Sequence, residues 1–290
     1  MKVAFIGVGT MGKPMAANIV KGGHEVLVLD TDSARAAGVA AEIGATAAAR
    51  MDELTDASVI VTMLPDGKVV QAVALGQDGI AAVARAGTLV IDMSSSEPLI
   101  TRATGAALAA KGIALIDAPV SGGLPRAVSG TLTIMIGSDD PETTERARPI
   151  LTCLGSTLFV VGKLGSGHAA KALNNVVAAS NYAVLAEALF VAERYGIDLE
   201  TLVSILNVST GQSFASSVGM KQFVLPRTYA TGFKVGLLAK DVGIAAELST
   251  ELGCNTPFIH LTQRRWAEAR DVLGGDEDHS KAILAWGKTP

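Results

Sequence analysis

Short apolar runs without alternation recur through the first half of the chain: Val3–Ile6, Glu25–Leu29, Val59–Leu64, Thr88–Asp92 and Ile113–Ile116. Each is followed by a longer stretch of helical composition, so they read as parallel strands buried on both faces and joined by crossover helices. A short segment at Ala45–Ala49, an alternating run at Thr131–Gly137 and a last apolar run at Leu158–Val161 extend the series. The pattern predicts an α/β doubly wound sheet of roughly seven or eight strands. Beyond Gly162 the periodicity is helical, apart from loops around Thr210–Ser217 and Arg227–Gly232. The boundary therefore falls at about Gly162–Gly167, giving an N-terminal α/β domain over residues 1–163 and an all-α domain over 164–290.

The second domain opens on one long helix. From His168 through Tyr195 there is neither Gly nor Pro, 28 residues that span roughly 42 Å as a helix. Before Glu187 its only cations are Lys171 and His168, and Lys171 lies one turn from Asn175 on the same face. A lysine in so apolar a stretch is either a snorkelling side chain or a chemical group held for use.

Composition narrows the classes. The 290-residue chain carries a net charge of -4 with no long run of like charge, which leaves no electrostatic footprint for nucleic acid or an anionic membrane. Its apolar excess is Ala and Val spread along the whole length, and the uncharged part of the long helix, 172–186, is shorter than a bilayer span and carries Asn174, Asn175, Ser180 and Asn181. Met1-Lys2 leads directly into a strand with no signal-peptide pattern, and Cys153 and Cys254 lack metal or disulfide-framework spacing, so the expectation is a cytoplasmic protein with two reduced thiols. The four histidines are scattered and no metal site is expected.

The first strand ends in Gly7-Val8-Gly9-Thr10-Met11-Gly12, and a helix follows with Pro14 in its first turn. Strand, GxGxxG, helix is the context of a Rossmann dinucleotide site: one glycine turns the chain, one lets a pyrophosphate approach, and one lets helix and strand pack. The second strand ends at Asp30, 23 residues after Gly7, where such a unit places the acid that binds the adenosine ribose. With Asp32 close by, the negative charge favours NAD over NADP, although Asp30 could instead cap the next helix. Ser94–Ser96, after the Thr88–Asp92 strand, are equally readable as cofactor contacts or helix caps.

Five pieces then stand in order: the Gly7–Gly12 turn with Pro14, Met63-Leu64-Pro65 at a strand end, Asp117-Ala118-Pro119-Val120-Ser121-Gly122-Gly123, Gly165-x-Gly167-x-x-x-Lys171-x-x-Asn174-Asn175, and Lys240-Asp241. Over essentially the whole chain they resemble the β-hydroxyacid dehydrogenase family, the group of 3-hydroxyisobutyrate dehydrogenase and tartronate semialdehyde reductase. The resemblance implies a Rossmann domain and an all-α domain with cofactor and substrate between them, and interconversion of a small 3-hydroxy acid and its semialdehyde with NAD(P). It implies that Lys171 is the catalytic residue, with Asn175 as its partner at the substrate and Ser121 beside them in the catalytic set, that Ser121-Gly122-Gly123 is the carboxylate-binding turn, and that Asn174 is a substrate contact. On the cofactor side it implies Gly7, Gly9, Thr10, Met11, Gly12, Asp30, Met63, Leu64, Pro65, Ser95 and Lys240. Enzymes related to 6-phosphogluconate dehydrogenase carry His where this chain has Asn174, which weakens a phosphosugar substrate.

The chemistry asks for one proton donor and acceptor beside the hydride carrier. A lysine serves if its surroundings bring its proton affinity near the working pH. Ser121-Gly122-Gly123 can present consecutive backbone N–H groups to a small anion. His168 and the Thr210–Phe214 loop are candidates for shaping a substrate pocket. A non-catalytic nucleotide-binding scaffold is the alternative of another class, and an imine reductase on the same fold would carry a different residue in place of Lys171. The long apolar helix implies a second subunit over its outer face, so a homodimer or homotetramer is expected.

Overall fold

The computed structural model describes residues 1–287. The chain divides into two compact units, Met1–Lys171 and Ala172–Pro290.

In the first unit the apolar runs form β1 (Lys2–Ile6), β2 (Glu25–Leu29), β3 (Thr46–Ala47), β4 (Val59–Thr62), β5 (Leu89–Asp92) and β6 (Ala114–Asp117). Between them lie α1 (Gly12–Lys21), α2 (Ser33–Ile43), α3 (Gly67–Leu75), α4 (Ile80–Val83) and α5 (Pro98–Ala109). These six strands are parallel in the order β3-β2-β1-β4-β5-β6, the doubly wound arrangement in which the direction of winding reverses between β1 and β4. Alternation along β1 shows why both faces are covered. Val3 and Phe5 pack with Met15, Ala16 and Ile19 of α1 on one face, while Ala4 and Ile6 join Ile60, Val90 and Leu108 on the other.

The rest of the sheet departs from a purely parallel pattern. After β7 (Val120–Ser121) and α6 (Gly123–Ser129), β8 (Leu132–Gly137) runs antiparallel to both β6 and β7. Then α7 (Pro141–Leu154) leads to β9 (Gly155–Gly162), parallel to β8, which brings the sheet to nine strands rather than seven or eight. Neither β7 nor α6 is visible in the hydrophobic pattern: one is two residues long and the other follows a Gly-Gly turn.

Helix α8 starts at Ser166, two residues before His168, in the first unit, and its part from Ala172 to Tyr195 is the element on which the second unit is built. By length and composition α8 is apolar enough to cross a bilayer, but one face of it, with Val176, Ala179, Tyr182, Ala186 and Leu189, is buried in this unit's own core. Around it lie α9 (Leu199–Leu206), α10 (Val235–Glu251), α11 (Pro257–Leu273) and α12 (Ala282–Trp286). Trp266 is fully buried, donates its indole N–H to Ala179 O at 3.1 Å and packs edge-on against Trp286. The expected loop at Thr210–Ser217 is shorter than the sequence suggests, because Ala215–Val224 forms a π-helical segment. Gly219 in that segment faces the Tyr182 ring, so close side-chain packing sustains a helix of low intrinsic propensity.

Candidate active site

The glycine-rich turn is shaped by backbone crowding. Gly7 has φ +93°, and a Cβ there would overlap the carbonyl oxygen of Met63, so the end of β4 packs directly on the turn. A Cβ at Gly12 would overlap the carbonyl oxygen of Gly7, which is the close helix-to-strand contact the motif requires. Gly9 differs from both: no protein atom lies within 4 Å of where its Cβ would stand. Packing does not demand a glycine at that position, and the backbone there is open to close approach by a ligand. Thr10 and the N-cap Met11 lead into the first turn of α1, whose free N–H groups carry the positive end of the helix dipole.

Asp30 closes the same turn. Its Oδ2 accepts from Val8 N–H at 3.0 Å and its Oδ1 accepts from Asp32 N–H at 3.0 Å. Arg35 reaches Oδ1 of Asp30 at 3.2 Å and Oδ2 of Asp32 at 3.2 Å. Asp30 does not cap α2; that role falls to Asp32, which accepts from Arg35 N–H. The carboxylate is thus fixed beside the glycine turn, at the strand end where a ribose hydroxyl pair binds in this architecture. These residues fit a dinucleotide.

Next along the sheet, Leu64 N–H donates to Ser94 Oγ at 2.9 Å, so the Met63-Leu64-Pro65 segment is tied to the end of β5. The serines after β5 divide by direction. Ser94 and Ser96 are buried and turn to Asp92, while Ser95 is partly exposed. None of the three caps α5, whose N-cap is Glu97 without a side-chain bond.

Ser121 pairs with Thr133 in the β7–β8 ladder, and Gly122 (φ +129°) and Gly123 (φ +65°) then turn the chain into α6. Two successive left-handed residues explain the glycine pair. The Arg126 side chain packs over Gly122, a cation beside this exposed turn that the motif itself does not announce.

Lys171 lies in the second turn of α8 and is partly buried. Asn175, one turn on, is buried; its Nδ2 donates to Asp241 Oδ2 at 2.6 Å and its Oδ1 accepts from Asn174 Nδ2 at 3.1 Å. Lys240 Nζ stands 3.1 Å from Asp241 Oδ1. Asp241, which the sequence presents only as half of a Lys-Asp pair, is therefore the group that orients Asn175. His168 does not line a pocket: its ring is fully buried in the first unit against Thr101, Asp92 and Asp117. Phe214 of the Thr210–Phe214 loop is largely exposed. No cluster of three potential metal ligands occurs among the described residues.

A Rossmann strand order, a glycine turn and a carboxylate at the end of the second strand are the features of a dinucleotide-binding domain. Residues 2–162 match the family model described as the NAD binding domain of 6-phosphogluconate dehydrogenase, and residues 165–286 match that of the NAD-binding region of NADP-dependent 3-hydroxyisobutyrate dehydrogenase. The chain is 38% identical to 2-(hydroxymethyl)glutarate dehydrogenase of Eubacterium barkeri, over 99% of this chain and 95% of that one. It is 34% identical to 3-sulfolactaldehyde reductase of Escherichia coli, over 97% and 94%. Mycobacterium tuberculosis 3-hydroxyisobutyrate dehydrogenase, solved with L-serine, superposes with a TM-score of 0.90 at 33% identity over 98% of each chain. The chain belongs to the β-hydroxyacid dehydrogenase family and is an NAD(P)-dependent hydroxyacid dehydrogenase.

Proposed function

We propose that the enzyme interconverts a small 3-hydroxy acid and its semialdehyde, with NAD as the preferred cofactor and Lys171 as the proton acceptor and donor. The observation that carries this reading is the pair Lys171 and Asn175 one turn apart on α8, with Asn175 held by the buried Asp241 at 2.6 Å. The nicotinamide supplies or takes the hydride. In oxidation, neutral Lys171 takes the hydroxyl proton; in reduction, its ammonium gives that proton back and stabilises the developing alkoxide. Asn175 and Asn174 contact the substrate beside Lys171, and the Ser121-Gly122-Gly123 turn takes the carboxylate. The relatives are named for acting on 2-(hydroxymethyl)glutarate and 3-sulfolactaldehyde, each with a terminal hydroxymethyl or aldehyde on a short acid.

Gly7, Gly9, Thr10, Met11, Gly12, Asp30, Met63, Leu64, Pro65 and Ser95 are assigned to the cofactor, with Lys240 beside it. The preference for NAD rests on Asp30 and Asp32. A 2′-phosphate would meet two carboxylates there, and Arg35, the cation that would greet it, is already bonded to both. Residues 1–163 form the nucleotide domain in this reading, and 164–290 serve substrate and assembly. A dimer or tetramer follows from the outer face of α8, where Leu173, Val177, Val184, Val191 and Tyr195 are exposed in succession.

The test is a spectrophotometric panel of short 3-hydroxy acids with NAD and with NADP, and of semialdehydes in the reverse direction. Turnover of at least one member with a higher kcat/KM for NAD is expected, and Asp30→Ala narrows that preference. Nucleotide binding with no turnover on any member would contradict the reading.

A further inference from the structure

The first turn of α8 is anchored by a carboxylate from another part of the chain. Asp117, the last residue of β6, is fully buried. Its Oδ1 accepts from Gly165 N–H at 2.6 Å and its Oδ2 from His168 N–H at 2.7 Å. Backbone N–H groups at a helix start have no partner within the helix, and a neighbouring side chain ordinarily supplies one. Here the acceptor comes from 48 and 51 residues upstream. The carboxylate is also boxed in. A Cβ at Gly137 would overlap Oδ1, and one at Gly167 would stand 2.8 Å from Oδ2 while overlapping the carbonyl oxygen of Met135.

His168 adds a second anchor in the same turn, three residues before Lys171 and therefore its neighbour on the helix surface. Its Nδ1 lies 2.8 Å from Thr101 Oγ1 of α5 and 3.8 Å from Asp117 Oδ2, and its Nε2 lies 3.6 Å from Asp92 Oδ2. Asp92 in turn accepts from Thr62 Oγ1 at 2.9 Å, Ser94 N–H at 3.1 Å and Ser96 Oγ at 3.0 Å. The ends of β4, β5 and β6 and the start of α5 thus converge on one imidazole in the first turn of the helix that carries Lys171. Burying two carboxylates and a histidine is a poor route to stability, because well-packed apolar side chains of similar size do as well or better. What such a network provides is a single geometry.

We propose that Asp117 and His168 are positioning residues for Lys171, fixing the depth and rotation of α8 at its first turn relative to the ends of β5 and β6. The proposal rests on the reading of Lys171 as the proton donor and acceptor. Asp117 belongs to the same short segment as Ser121-Gly122-Gly123, so one carboxylate sets both the lysine helix and the entry to the turn assigned to the substrate carboxylate. Misplacement of a reacting group by about 1 Å from a remote change costs on the order of 10²-fold in rate.

The test uses the full-length enzyme with NAD and its best 3-hydroxy acid from the panel, and four variants: Asp117→Asn, His168→Leu, His168→Asn and Thr101→Val. Thr101→Val removes the hydroxyl that meets Nδ1, together with its local bond to Glu97 O at 3.1 Å, and disturbs the buried charges least. Asp117→Asn and His168→Leu are expected to lower kcat by about 10²-fold, and Thr101→Val by roughly tenfold. KM moves less than kcat in each, NADH titration gives the wild-type Kd, and the basic limb of the pH–kcat/KM profile moves in Asp117→Asn. His168→Asn, which keeps a polar group toward Thr101, recovers part of the loss. A lowered melting temperature with wild-type kcat per folded enzyme would overturn the proposal, and Thr101→Val decides it should Asp117→Asn fail to fold. Lys171→Ala separates the two levels. If it retains turnover, the reading of the lysine fails; if it is inactive while Thr101→Val and His168→Asn keep wild-type kcat, only the positioning role fails.

Discussion

Gly9 and Gly12 belong to one motif but are required for different reasons, and a single methyl group at each separates them. At Gly12 a Cβ would overlap the Gly7 carbonyl oxygen and stand 3.1 Å from the Phe5 ring, with backbone on one side and the sheet core on the other. Neither can give way cheaply, so Gly12→Ala is expected at the upper end of overpacking costs, about 3 kcal/mol. For a unit of this size that lowers the melting temperature by roughly 6–12 °C. At Gly9 the added methyl meets no protein atom within 4 Å, and φ is not positive, so alanine adopts the backbone without strain. Gly9→Ala should leave the apo protein as stable as wild type, or more stable by about 0.4–1 kcal/mol through the unfolded chain. The methyl then stands where the pyrophosphate approaches. A clash of about 1–3 kcal/mol corresponds to roughly 5- to 150-fold weaker binding. Thermal melts without nucleotide, together with fluorescence titration with NADH, measure both quantities. If Gly9→Ala binds NADH as tightly as wild type, the pyrophosphate does not cross that residue; if it melts like Gly12→Ala, the glycine serves packing and the argument from open space is wrong.

Asp241→Asn removes the charged acceptor of Asn175, a hydrogen bond of a kind worth about 1.5–3 kcal/mol. kcat/KM for the hydroxy acid should fall by roughly tenfold or more, and unchanged steady-state kinetics would show that Asn175 needs no such support. His279 lies among Tyr182, Trp266 and Phe233, and burial holds its pKa below the ordinary value in spite of the nearby Phe233 carbonyl and Asp278. The unfolded chain takes up that proton at about pH 6.5 and the native one only at lower pH, so stability is full above that value and declines as pH falls below it. Denaturant titrations of His279→Gln should show a shallower loss between about pH 6.5 and 5 than wild type, by at most about 1.4 kcal/mol per pH unit; parallel curves would contradict this.

The nucleotide-binding fold and the packing of its glycine turn were legible because their signals are local. Gly7, Gly9 and Gly12 sit within six residues, and Asp30 directly follows the next strand, so strand, turn and acid are read from one short stretch. The sheet beyond β6 was not, since β7 is two residues long and its antiparallel partner is set by tertiary pairing rather than by periodicity. The groups that hold the lysine helix were missed for a related reason. Asp92, Asp117 and Asp241 find their partners 30, 48 and 66 residues away, and no spacing rule connects them. One signal was present: the apolar strands β5 and β6 both end in an aspartate, as β2 is followed by one, and a charge that closes a buried run must be bonded to something.

In the proposed reaction Lys171 moves the proton. Turnover of Lys171→Ala, measured with NAD and the preferred 3-hydroxy acid alongside an NADH titration, tests it most directly. Loss of a general acid–base group predicts kcat lower by about 10²- to 10⁴-fold with NADH affinity intact. Near wild-type turnover in that variant would contradict the account.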